Sequence, residues 1–136
     1  MKKLIYIGFI FAVILGCTAT KSKESLAKKE PDKVSDTVRI ANDELEYEIL
    51  IYDPNFSIWL QTVAKPRNYY SLYSLENNNI FYVTEWNTRV NQPQLYNPNL
   101  YQFQIDYNRN IHYGHEVNYL LYNYFLYFQK EYKQKL

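Results

Sequence analysis

Fifteen of the sixteen tyrosines in this chain lie after Glu46, together with both tryptophans, and only one glycine, Gly114, follows residue 16. A segment built that way must bury large rings around a backbone with almost no conformationally permissive position, which predicts a small, rigid, aromatic domain. It leaves no place for the Gly-rich phosphate loops of nucleotide-binding sites. Composition changes sharply near residue 37. Residues 18–36 mix charges and small polar side chains without one aromatic. Such a segment cannot bury enough apolar surface to offset its ordering entropy, so it reads as a tether.

The extreme N-terminus constrains address rather than fold. Met1-Lys2-Lys3 is basic, residues 4–15 are apolar, and Ile14-Leu15-Gly16-Cys17 closes the run with the only cysteine. The apolar run is shorter than the roughly 20 residues a membrane-spanning helix needs. Its layout is that of a lipoprotein signal, in which Cys17 is lipidated and becomes the mature N-terminus. An ordinary secretory signal cleaved near Thr18-Ala19-Thr20 is the alternative. The expected organisation is a signal peptide over 1–16, lipidated Cys17 with its tether over 17–36, and one globular domain over 37–136. Each buried acyl methylene contributes about 0.8 kcal/mol, so two or three chains on Cys17 would hold the protein to a membrane essentially permanently. No Asp stands beside Cys17, which by analogy with lipoprotein sorting favours the outer membrane, with the periplasmic face preferred over the cell surface. With a single cysteine no internal disulfide can form, and the core alone must hold the domain.

Charge removes further classes. The chain carries 15 basic and 14 acidic side chains, and loss of Lys2 and Lys3 with the signal leaves it slightly acidic. That balance argues against nucleic acid.

Periodicity predicts the elements. Residues 45–52 read as a strand, and Val38 to Ile40 as an edge strand joined to it through a turn at Asn42-Asp43. Asp53-Pro54 caps a short helix with Phe56, Trp59, Leu60 and Val63 on one face, stopped at Lys65-Pro66. Asn68 is placed to cap a longer helix to about Asn91, with Leu72, Leu75, Asn79, Val83, Trp86 and Val90 as its stripe and Tyr73, Ile80 and Phe81 widening it. The run Asn77-Asn78-Asn79 is a potential break. Residues 101–107 have the cleanest period-two alternation in the chain and read as another strand. His115 to about Lys133 is an aromatic helix with Val117, Leu121, Tyr124 and Phe128 inward. The expected fold is α+β, with two or three short strands covered by about three helices around an aromatic core.

Three candidate chemistries emerge. His112 and His115 are three apart beside Glu116 and could share a metal with Glu85 or Asp106, although Gly114 between them favours a loop-to-helix boundary that splays the rings. Glu85 and Glu116 could serve as acid and base in glycan hydrolysis. Glu85 and Arg89, four apart on one helix, also suit a plain ion pair. The tyrosines crowding the last helix (Tyr119, Tyr122, Tyr124, Tyr127) and Tyr69, Tyr70 and Tyr73 suit either a core with paired hydroxyls or an exposed binding face. No Ser nucleophile elbow occurs, and no cofactor is expected.

Tyr47 to Pro54 with Trp59-Leu60, the segment Thr84-Glu85-Trp86-Asn87 with Arg89, and Glu116-Val117-Asn118-Tyr119 together resemble an uncharacterised family of small lipoproteins from Gram-negative bacteria. The resemblance spans the domain and implies export, lipidation and one compact unit, with no catalytic residues to transfer. Glu85, Asn87, Arg89, Glu116 and Asn118 are the polar residues set within aromatic helices, and hence the functional cluster to examine. The function expected from the sequence is a non-enzymatic binding module of the cell envelope, anchored to the membrane through Cys17 and engaging an envelope protein. A glycan or peptidoglycan binder, or a small hydrolase using Glu85/Glu116 or a metal at His112/His115, is the alternative.

Overall fold

The computed structural model describes residues 36–136; Cys17 and most of the tether lie outside them. Two strands and three helices form a small α+β domain. β1 (Val38–Asn42) pairs antiparallel with β2 (Tyr47–Ile51), Ile40 opposite Ile49. Asn42 builds the turn between them. Its side chain accepts from the amides of Glu44 and Leu45, and Glu46 closes the turn in the left-handed region at φ 51°. The same Asn42 donates to the Tyr113 carbonyl at 2.9 Å, tying the hairpin to the start of the last helix.

α1 (Pro54–Thr62) begins as the sequence dictates, with Asp53 accepting from the Asn55 amide and Pro54 in the first turn. It ends before Lys65-Pro66, and Val63 is exposed rather than inward. Fully buried Phe56 packs on Tyr124 and Tyr127, a burial contributing about 2 kcal/mol. α2 (Leu72–Val90) is capped by Ser71, whose hydroxyl accepts from the Ser74 amide, and not by Asn68, which falls in the turn before it. Nor does the asparagine run break it. Asn77 and Asn78 each donate to the carbonyl four residues back, while Asn79 turns into the core. The side chains that usually compete with helix are thereby used within it. Tyr73 and Phe81 are exposed and do not widen the inward stripe.

α3 (His115–Glu131) starts at Gly114, whose φ of 88° is the conformation a side chain disfavours. It runs in the same direction as α2. Asn79 meets Asn118, Tyr82 meets Phe125, and Trp86 meets Phe125 and Phe128, with ring centroids 4.8 Å apart in the last pair. Parallel neighbours need a long return, and residues 91–114 make it. Segment 101–107 lies in that return and is not a strand. Two of its carbonyls and one amide are taken by α2 instead. The Trp86 indole donates to the Phe103 carbonyl at 2.9 Å, and the Asn87 amide exchanges two hydrogen bonds with the Ile105 backbone. Side chains of a helix thus replace the neighbouring strand that the alternation predicted.

Candidate functional site

The five residues singled out as a polar cluster are not one cluster. Asn118, fully buried, accepts from the Tyr107 hydroxyl at 2.6 Å and from Asn79, and donates to the Gly114 carbonyl. Farther along, Arg89 pairs with Glu85, donates to the Tyr101 hydroxyl at 2.8 Å and grips the Lys135 carbonyl near the C-terminus. Its guanidinium also lies over the Tyr96 ring. Asn87 holds Ile105. Glu116 faces outward in a two-pronged pair with Arg67, both bonds 2.7 Å. Glu85 and Glu116 share no partner, the first being held by Arg89 and the second by Arg67. Each carboxylate is already neutralised by an arginine.

The histidines also part company. His112 reaches toward Glu76, whereas His115 approaches the Tyr70 carbonyl and stacks on Tyr119. Among the described residues no group of three His, Cys, Asp or Glu side chains is placed to hold a metal ion.

The tyrosines divide between both expectations. Tyr101, Tyr113, Tyr119 and Tyr127 bury their rings and spend their hydroxyls on the Gln134 side chain, the Asn108 amide, the Lys65 carbonyl and Asp53 respectively. Tyr52, Tyr69, Tyr73 and Tyr132 are exposed.

What the sequence did not point to is a cleft of about 680 Å³ between β2 and the return segment. One wall is residues 46–53, the whole of β2 with its flanks. The other is residues 102–106. Trp86, Leu121, Tyr124 and Phe128 make the floor. No β1 residue lines it, so the cleft runs along the edge of β2 that β1 leaves unpaired. Leu50, Tyr52, Phe103 and Tyr132 expose apolar surface around it, Phe103 at 78%. Among the described residues four carboxylates border it (Glu46, Glu48, Asp53, Asp106) and no basic side chain does. Glu48 is paired with Arg39, and Asp53 accepts from Tyr127 and Tyr132. Glu46 and Asp106 have no ion-pair partner among the described residues. The one signal in the sequence was the alternation of 101–107, which demands a partner and has none of strand type.

The phenols of Tyr47, Tyr107 and Tyr124 are all harder to ionise than a free tyrosine. Burial first, and then Tyr113 and Asp106, push Tyr47 well above the usual tyrosine range. Burial, with Glu76 and Tyr113 behind it, lifts Tyr107 to about 12. Tyr124 is raised strongly by burial and by nearby Tyr132 and Asp53. All three stay protonated at neutral pH, and the buried Tyr47 hydroxyl finds no partner among the described residues.

Residues 4–136 match a family of unknown function, DUF6146. The chain belongs to that family. No curated protein and no solved structure matches it. Among the described residues no helix is long and apolar enough to cross a membrane.

Proposed function

We propose that this member of DUF6146 is a non-enzymatic binding module of the cell envelope, held to the outer membrane by lipid on Cys17 and engaging an envelope protein at the cleft beside β2. The observation that carries the binding reading is the cleft itself: an unpaired strand edge, exposed rings and unpaired carboxylates around one concave surface. Contiguous exposed apolar surface of this kind marks interaction sites. Against catalysis stands the saturation of Glu85, Arg89, Asn118 and Glu116 by internal bonds. The anchor rests on the leader sequence and Cys17, and the periplasmic face is the preferred location.

The test places a photocrosslinking amino acid at Phe103 in the full chain in cells, with Cys17→Ser as the control for anchorage. One reproducible envelope protein crosslinked from Phe103, and not from Tyr73 on the outer face of α2, is the expected result. Equal, diffuse crosslinking from both positions would remove the cleft as the binding surface. Cys17→Ser protein that stays in the membrane fraction would remove the lipid anchor.

A second reading is favoured by the Asn99, Gln102 and Gln104 amides, which stand beside aromatic rings in the cleft, the pairing that sugar recognition uses. Titration with N-acetylglucosamine oligomers separates it from the first.

A further inference from the structure

We infer that the cleft binds an extended peptide bearing basic side chains, which adds as a strand to the free edge of β2. The inference rests on the binding reading above and names the class of partner. β2 pairs with β1 through one edge only. Backbone groups alternate sides along a strand, so every second residue of Tyr47–Ile51 turns its amide and carbonyl to the unpaired edge. The opposite wall also carries free backbone groups. Phe103 and Ile105 direct their carbonyls, and Ile105 its amide, to Trp86 and Asn87 on α2. The chain bends at Phe103, and Gln102, Gln104 and Asp106 make no backbone hydrogen bond among the described residues. A chain laid between the two walls would find hydrogen-bonding groups on both sides, over a length that five or six extended residues span at about 3.3 Å each.

Side chains set the sequence preference. Alternate residues of the inserted chain would face the aromatic floor of Trp86, Tyr124 and Phe128, which suits apolar groups. The others would face the rim, where among the described residues Glu46 and Asp106 have no ion-pair partner and no lysine or arginine lines the cleft. Charge complementarity therefore selects a basic, alternating segment. Backbone pairing supplies affinity and the pockets supply specificity in this mode of recognition.

The experiment pans a random decapeptide display library against the full lipidated chain in detergent micelles. The best peptide is then measured as synthesised and with N-methyl groups on alternate residues. Expected are sequences alternating Lys or Arg with apolar residues, at least a tenfold loss of affinity on N-methylation in one of the two registers, and a several-fold loss in Glu46→Gln/Asp106→Asn, both exposed positions. Enrichment of acidic or charge-indifferent peptides, indifference to N-methylation in both registers, or no enrichment at all overturns the inference. So does self-association of the peptide-free chain through this edge, which would make a second copy the occupant. Failure here with a specific in-cell crosslink at Phe103 leaves the binding reading standing. Binding of N-acetylglucosamine oligomers in place of peptide moves the cleft to sugars.

Discussion

The seam between α2 and α3 and the cleft beside β2 are both built from aromatic and polar side chains, yet they treat polarity in opposite ways. In the seam, Asn118, Asn79 and Tyr107 at one end and Arg89, Glu85 and Tyr101 at the other are joined to each other and to the backbone. In the cleft, a strand edge and two carboxylates have no partner among the described residues and stand beside exposed rings. A buried orphan costs about 1–3 kcal/mol, and in the seam Asn79 Oδ1 alone goes without a partner among the described residues. Polar groups held open at a concave surface are satisfied from outside. A polar residue embedded in an aromatic helix is thus a weaker pointer to function than an unmatched backbone edge.

The strongest way to break this contrast is Asn118→Leu. It strands the Tyr107 hydroxyl and takes one bond each from the Asn79 amide and the Gly114 carbonyl, which keep their bonds to the Asn118 backbone, and urea denaturation should show a loss of about 3 kcal/mol. A loss below 1 kcal/mol would mean the seam is not held by its polar network. Arg89→Met removes the Glu85 pair and the hold on Tyr101 and the Lys135 carbonyl. About 2 kcal/mol should go, with faster hydrogen exchange around Leu136. Arg89→Lys should not rescue it, because one ammonium cannot serve three directions. Asn87→Ala frees the Ile105 backbone and should cost about 1 kcal/mol; protection of the Ile105 amide from exchange should drop while that of Phe125 is kept.

The fourth test is alkaline. Tyr107, ordinarily near 10, is held up to about 12 in the folded chain. The unfolded chain therefore releases this proton first, so the stability this group contributes is whole below pH 10 and declines as pH rises from 10 toward 12. Tyr107→Phe should flatten part of that decline in denaturation curves taken across this window, and an unchanged slope would deny Tyr107 the role. The smallest stability effect belongs to the cleft. Phe103→Ala, at an exposed rim position, should shift stability by less than about 0.5 kcal/mol yet abolish partner crosslinking from a probe at Tyr52, another exposed residue of the cleft. A large stability loss there would make Phe103 structural and weaken the contrast.

The legibility of the chain follows the range of the interactions. Asp53-Pro54 announced α1, Gly114 announced the start of α3, and the alternation around Tyr47 announced β2, because caps, turns and periodicity are decided within a few residues. The α+β class and the aromatic core were legible for the same reason. The cap of α2 was misplaced to Asn68 because Ser71, three residues on, offers the same chemistry and its hydroxyl sits where the Ser74 amide arrives. The alternation of 101–107 reads as a strand, and the segment is not one. Whether a strand or a helix would pair with it depended on Trp86 and Asn87, which only the parallel crossover brings alongside. Glu85 pairs with Arg89 four residues on in its own helix, as the spacing suggests, whereas Arg67 reaches Glu116 across 49 residues and only packing brings the two together. Local chemistry determined the elements; long-range packing alone decided which polar groups were matched and which edge of the sheet was left open.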